Sequence, residues 1–432
     1  MIKQYIKQAL LQLRQYPIFS VVSVIGTALA IFLIMIVVMM QQVKTAPFAP
    51  ESNRDRFLHV HYMSLANKEW GNNSSSNSPM SERTAKELYK SLKTPEAVTI
   101  YTAITIASPV SLPGNASTAV DLRETDDAFW QVFDFAFLEG KPYDKATFDA
   151  GLPVAVMTES VAQKLFGTST DVVGKEFLLS HAPYKVAGVV KDVSTLANTC
   201  YGQVWVPYTS TGQVQNTWTG GFMGLMSCTL LARSRDDFDA IRQESLKRLE
   251  AYNQAIEEAG WHIINRNRPY DQEKESVGSS ANLEPDLESE RRGKLIVYLI
   301  LLIVPAINLS SMTHSRLRQR ISEIGLRRAF GCNRMELMGQ ILMENLIVTL
   351  LAGAVGLLMS VVLAYWGGQF LFAQSYQNSV VPPIVDTSML IHASTFGYAL
   401  MFCFILNLLS TGLPAWMASR INIVTALGGK LH

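Results

Sequence analysis

Residues 18–43 read IFSVVSVIGTALAIFLIMIVVMMQQV, with no charged side chain anywhere in the run. As a helix rising ~1.5 Å per residue, such a run reaches ~39 Å, more than the ~30 Å hydrocarbon core of a bilayer. The competing reading is a cleaved signal peptide. That would have an apolar stretch of only about 7–15 residues followed by a small-residue cleavage site, and neither condition is met. The run is therefore expected to stay in place as a membrane-spanning helix.

Three more apolar runs follow. They are Leu295 to Met312, containing Pro305 and Asn308; Ile341 to about Phe372, with Glu344 one turn in; and about Ser394 to Leu413, which Pro414 is expected to end. Pro305 removes a backbone donor and is expected to kink its helix. Composition agrees: 48% of the chain is hydrophobic and 17% charged, against roughly 25% charged in soluble domains. The middle of the chain nevertheless reads as an ordinary soluble domain. A net charge of +1 gives no global field for nucleic acid or acidic partners.

Orientation follows from the lysine and arginine asymmetry of the short loops. The N-terminal tail carries Lys3, Lys7 and Arg14, and the loop between the second and third runs carries Arg316, Arg318, Arg320, Arg327, Arg328 and Arg334. The loop from Ala373 to Ala393 has neither residue type, and the tail after Pro414 has Arg420 and Lys430. Both termini and the arginine-rich loop are thus expected in the cytoplasm of a bacterial cell, with the chain in the inner membrane and residues 44–293 outside. Ile2, Tyr5, Ile6, Ala9, Leu10 and Leu13 share one helical face, which fits an amphipathic helix on the lipid surface or a plain extension of the first span.

The outer segment of about 250 residues is large enough for its own core. Its ends look alike. Phe57 to Leu65 reads as a strand, Ser81 to Leu92 as a helix capped by Ser81, and Ala97 to Ile106 as a strand. Cys228 to Ala232, Asp236 to about Ala259 and Trp261 to Arg266 repeat strand, helix and strand. Two β-α-β halves suggest a split, ferredoxin-like α+β unit with a β-rich subdomain inserted at about 108–226. Asn67 to Pro79 reads as a mobile loop, and Gln272 to Glu290 as an acidic linker. Cys200 and Cys228 are the two cysteines that could pair as a disulfide outside, or remain buried thiols. The expected layout is thus an N-terminal helix and first span (1–43), the outer domain (44–293), a second span (294–312), a loop (313–340), a third span (341–372), a fourth span (394–413) and a tail (414–432).

Two stretches resemble a known family. The first contains Phe133-Asp134-Phe135, Phe137-Leu138-Glu139-Gly140, Val154-Ala155-Val156, Ala162 to Gly167, Gly174-Lys175 and Tyr184 to Asp192. It is similar to the periplasmic core domain of MacB-type permeases. The second is Arg320-Ile321-Ser322-Glu323-Ile324-Gly325-Leu326-Arg327-Arg328-Ala329-Phe330-Gly331, running on to Gln340, Glu344, Gly353 and Gly356. It resembles the loop and following span of FtsX-like permease domains. The resemblance implies a type VII ABC transporter membrane subunit. Such a subunit would pair with a second permease copy or paralogue. It would dock a cytoplasmic ATPase that binds ATP and Mg, and transmit ATP-driven closure to the outer domain. A periplasmic adaptor or outer-membrane component is a further candidate partner.

Read physically, Ile321, Ile324 and Leu326 are apolar anchors that could seat a short helix in a partner's groove, with Arg320, Glu323, Arg327 and Arg328 around them and Gly325 and Gly331 allowing close approach or a turn. The plainer reading is a loop whose positive charge only orients the spans. Glu344 is expected near the headgroups or paired with a loop arginine. Gly353 and Gly356 give the third span a smooth patch, for contact with span two or four or with a second copy. His59 and His61 alternate on one strand but lack a third metal ligand nearby, and Asp121, Glu124, Asp126 and Asp127 read as a solvated turn. No phosphate loop occurs, since Gly174-Lys175 is followed by Glu176 and lacks the leading glycine. No hydrolase or zinc-protease motif occurs either, so the chain is expected to be non-catalytic, with no cofactor or metal of its own. Two other readings stay open: a membrane regulator that drives a periplasmic enzyme without moving a substrate, and an anchored receptor with no ATPase partner.

Overall fold

The computed structural model describes residues 17–71, 74–278, 280–372, 387–390 and 393–421. The amphipathic stretch Ile2 to Leu13, most of the loop Ala373 to Ala393 and the last part of the tail lie outside the described residues. The chain divides into a helical bundle (up to Gln42, Glu288–Gly368 and from Thr387) and a globular domain, chiefly Val43–Leu287. Helix α1 spans Pro17–Thr45.

In the globular domain, β1 (Phe57–Val60), β2 (Met63–Asn67) and β3 (Ser76–Ser78) precede a short helix α2 (Glu82–Ala85), which runs on as a π-helical turn to Lys90. Ser81 caps α2 by accepting the Thr84 N–H at 3.2 Å. Then come β4 (Ala97–Thr102), β5 (Ile106–Ser111), β6 (Thr118–Thr125), β7 (Phe137–Gly140), β8 (Val154–Thr158), helix α3 (Glu159–Phe166), β9 (Glu176–Leu179), β10 (Ala182–Val190) and β11 (Val204–Pro207). The domain closes with β12 (Met226–Leu231), helix α4 (Phe238–Ile256), β13 (Trp261–Ile264), β14 (Tyr270–Asp271) and helix α5 (Gln272–Val277).

Phe57 to Leu65 is not one strand. It breaks at His61-Tyr62, so that β1 pairs antiparallel with β12 and with β14, while β2 turns away to pair with β13 and β3. If β1 and β2 are counted as one bent strand, the antiparallel order β4-β12-β1/β2-β13 is that of the split βαβ unit. Leu58, Leu65, Leu88, Ile100, Leu230, Ile241, Leu249 and Ile263 bury its core. Part of the segment expected as a loop, Asn67 to Pro79, supplies β3.

The insertion is a closed ring. β5 pairs with β6 and β9, β9 with β10, β10 with β8, β8 with β11, and β11 in parallel with β6. Closure leaves no free edge in the ring, and Val120, Leu122, Met157, Phe177, Val186 and Val204 fill it. β7 lies against β10, with Gly140 opposite Gly188. Gly140 has φ +70°, and a Cβ there would run into the Ala187 carbonyl and sit 2.9 Å from the Gly188 Cα.

Several expectations change here. Asp121, Glu124 and Asp126 are buried rather than a solvated turn, because β6 runs through the middle of the sheet. Asp126 is satisfied there by Lys90 Nζ (2.5 Å), Thr99 Oγ1 (2.7 Å) and the Ile100 and Phe129 amides (3.1 Å each). Cys200 and Cys228 are free thiols. Cys228 sits in the β1–β12–β4 core, whereas the Cys200 amide is held by Glu51 in a loop elsewhere. Gln272 to Glu290 is more than a linker: α5 is capped by Asp271, which accepts the Lys274 N–H (2.9 Å), and Glu275 meets His61 Nδ1 at 2.6 Å.

The bundle contains α6 (Leu287–Gln319), α7 (Ile321–Ala329), α8 (Arg334–Phe372) and α9 (Ala393–Arg420). Four helices among the described residues, α1, α6, α8 and α9, are long and apolar enough to cross a membrane. Ile31, Ile34 and Val38 of α1, Leu302, Ala306 and Leu309 of α6, and Phe402, Cys403 and Leu406 of α9 form their common core. Pro305 lies inside the continuous α6. Pro414 does not end α9; the helix continues to Arg420 because Ala415 and Ala418 pack onto Leu317, Ile324, Leu337 and Ile341.

Candidate functional site

The segment joining α6 to α8 is mostly helix. The Arg320 carbonyl accepts the Ile324 N–H (3.0 Å) to start α7. The helix stops at Gly331, φ +96°, where Gly331 N–H bonds Arg328 O (3.1 Å) and Cys332 N–H bonds Arg327 O (3.1 Å). This pair is a Schellman closure, which glycine accommodates at no steric cost. Asn333 then opens α8: its side chain accepts the Met335 N–H (3.4 Å) and its own N–H is received by Glu336 (3.1 Å).

The faces of α7 differ from the sequence expectation. Ile321, Ile324 and Gly325 are buried, and Ile324 packs with Leu317 of α6, Leu337 and Ile341 of α8, and Ala415 and Ala418 of α9. Two of the three expected docking anchors are thus used inside the chain. Leu326 alone keeps an outward face, 50% exposed, and two further apolar side chains join it in the open: Phe330 at 84% and Met335 at 68%. Sequence reading did not assign Phe330 or Met335 a role; the available signal was large apolar side chains in an otherwise charged loop.

An ionic chain runs from this helix into the spans. Arg327 Nη2 donates to Glu323 Oε1 (2.6 Å), and Arg320 Nε donates to Glu323 Oε2 (2.9 Å). Arg320 Nη1 also donates to Glu344 Oε2 (3.0 Å), whose other oxygen accepts from Gln340 Nε2 (2.8 Å). Arg320, followed by Arg327, holds the Glu323 carboxyl below its ordinary range. Glu344 is 3% exposed in its side chain, so its charge is compensated by Arg320 rather than by water. Arg328 Nη1 donates to the Ile421 carbonyl (2.6 Å), tying α7 to the end of α9. Of the residues singled out by sequence, Arg320, Glu323 and Arg327 therefore form one network, Arg328 and Gly331 fix the helix ends, and Leu326 faces outward.

Gly353 and Gly356 are close-approach positions within one subunit. A Cβ on Gly353 would run into Cys403 Sγ of α9, and one on Gly356 into the Ala28 carbonyl of α1, a neighbour not anticipated. His59 Nε2 meets Gln272 Oε1 (2.9 Å) and His61 meets Glu275. Among the described residues, no group of three or more His, Cys, Asp or Glu could hold a metal ion.

Two family profiles match the chain. Residues 20–247 match the family profile described as MacB-like periplasmic core domain, and residues 295–423 match FtsX-like permease C-terminal. The macrolide export ATP-binding/permease protein MacB of Shigella boydii serotype 4 (strain Sb227) is 24% identical over 319 residues, 72% of this chain and 44% of that protein. The pyoverdine export ATP-binding/permease protein PvdT of Pseudomonas savastanoi pv. phaseolicola (strain 1448A / Race 6) is 23% identical over 319 residues, 73% of this chain and 43% of that protein. The chain thus spans less than half the length of these curated relatives. The solved periplasmic region of MacB from Actinobacillus actinomycetemcomitans is 18% identical, covers 48% of this chain and 89% of that one, and has a TM-score of 0.32.

Proposed function

The chain belongs to the family of MacB/FtsX-type ABC transporter permeases, and from that premise we propose that it is the membrane subunit through which a separate ATPase moves an extracytoplasmic domain. On this reading both termini and α7 face the cytoplasm, the globular domain lies beyond the inner membrane, and ATP and Mg are bound by the partner. A second permease copy or paralogue completes the assembly. The movement extracts or exports a substrate by mechanotransmission rather than by passage through a pore. Relatives named for export of a macrolide and of pyoverdine support the export direction.

The observation that carries the reading is the two-faced helix α7. One face is locked to three spans by Ile324, and its cation network is anchored to Glu344 by Arg320, while Leu326 and Phe330 stand in the open. An apolar pair on a short cation-bearing helix is what a partner's groove can receive, and the locked face passes any displacement to the spans. The test is to co-express the full chain with the candidate ATPase subunit and measure association and ATP hydrolysis. Leu326→Asp with Phe330→Asp should abolish both the association and the stimulated hydrolysis; unchanged association would overturn α7 as the docking element.

A further inference from the structure

A helix leaves its last carbonyls without partners inside the helix. In α1 those of Val43 and Lys44 are taken by side chains of the globular domain, the body to which Val43 and Lys44 themselves belong. Arg54 Nη1 donates to Val43 O (2.7 Å) and to Ala46 O (3.3 Å), and Gln272 Nε2 donates to Lys44 O (2.8 Å). Neither side chain hangs free. Arg54 is 1% exposed; its Nε holds Glu51 (2.6 Å), its Nη2 reaches Leu196 O (2.7 Å), and its guanidinium lies 4.0 Å over Phe48. Glu51 is fully buried and uses its other oxygen to accept the Thr199 and Cys200 amides (3.0 Å each). Gln272 presents its carbonyl oxygen to His59 of β1 (2.9 Å), and α5, which it begins, is tied again by Glu275 to His61.

We propose that Arg54 and Gln272 are positioning residues that make the last turn of α1 a part of the globular domain, so that displacement of the helix is delivered to the domain instead of being absorbed by bending at Thr45 to Phe48. The inference rests on the reading above, that movement is transmitted through this chain. Its physical basis is independent of that reading. A buried guanidinium satisfied by three backbone carbonyls and one carboxylate has a single tolerated geometry, since any rotation strands a buried charge. Gln272, from α5, adds a second grip on the neighbouring Lys44 carbonyl.

The test uses the full chain in lipid nanodiscs. Gln272→Glu keeps the size and the acceptor but loses the donor to Lys44 O; Gln272→Lys keeps a donor, and a cation suits a helix C-terminus. Arg54→Lys keeps the charge for Glu51 but not the fork of donors. Amide exchange across residues 43–56 should quicken about threefold to tenfold in Gln272→Glu, as the loss of one ordinary hydrogen bond implies. It should also quicken in Arg54→Lys and return towards normal in Gln272→Lys. With the ATPase present, Gln272→Glu should hydrolyse ATP at the parental rate while the ATP-dependent change in protease cleavage of the globular domain is lost. Unchanged exchange in both Gln272→Glu and Arg54→Lys overturns the clamp. Quickened exchange with a normal ATP-dependent cleavage change overturns its role in transmission. A parent chain with no ATP-dependent change at all counts against the underlying functional reading and leaves the clamp to be judged by exchange alone.

Discussion

Glu344 accepts a 3.0 Å hydrogen bond from Arg320, so a carboxylate on a membrane-spanning helix is neutralised by the residue that opens the short helix before it. The pair does two things. It makes Glu344 tolerable inside the bundle, and it fixes α7 to α8 through a contact that is lost if either partner is removed.

Glu344→Ala is therefore expected to destabilise the bundle by about 3 kcal/mol, because it leaves Arg320 partly buried beside Glu323 alone. Glu344→Gln keeps an acceptor for Arg320 and should cost less than half of that. Thermal unfolding of the full chain in detergent measures both. Equal effects would mean that packing, not the charge pair, sets the stability there.

Gly356→Val should be more disruptive than Ala354→Val. Gly356 is where the backbone of α8 meets the Ala28 carbonyl, and any Cβ there must push α1 away. Ala354 is exposed and already carries a Cβ. Yield of monodisperse protein and unfolding temperature should both fall for Gly356→Val and hold for Ala354→Val; a reversed order would contradict the packing described.

Glu124 predicts a pH dependence. It is 1% exposed, and neither carboxylate oxygen makes a hydrogen bond to a described residue. Burial pushes its carboxyl up to about 7, the nearby Thr211 hydroxyl pulling weakly the other way. The folded chain thus keeps a proton that the unfolded chain releases from about 4.5 upward. Its contribution is full below that value and is lost as pH rises through about 7, for a total of up to about 3 kcal/mol. Glu124→Gln removes the dependence. It should raise the unfolding temperature of the globular domain at pH 8 and leave it unchanged at pH 4; the same difference at both would contradict the assignment.

Reducing agent should leave unfolding unchanged. Cys200 and Cys228 are separate buried thiols, and burial pushes both up, away from the reactive thiolate. A loss of stability on adding reductant would point to a bond absent from this structure.

The spans were legible because an uncharged run such as 18–43 has one economical fate, and the two β-α-β halves because β-branched strands flank helix-patterned segments. The bend at His61-Tyr62 was not legible. It depends on β14 occupying the edge of β1, a contact made from more than 200 residues away. Closure of the inserted ring rests on another long-range contact, the parallel pairing of Val204 with Leu122. The charges of Asp121 and Asp126 suggested exposure, yet partners such as Tyr201 and Lys90 make burial affordable. At the site, the arginines, Glu323 and the terminating Gly331 were readable in order. Which face of α7 looks inward was not, because nine residues carry apolar groups on both faces and only the neighbours Leu337 and Ala415 decide between them.

The most direct measurement places a photoreactive cross-linker at residue 330 in the full chain within its native membrane and identifies what it captures. The account predicts a cross-link to an ATP-hydrolysing subunit that is strong at 330, weaker at Met335 and absent at Leu358, an exposed position on the spanning part of α8. Capture of lipid or of this chain alone at 330, with the ATPase present, would contradict it.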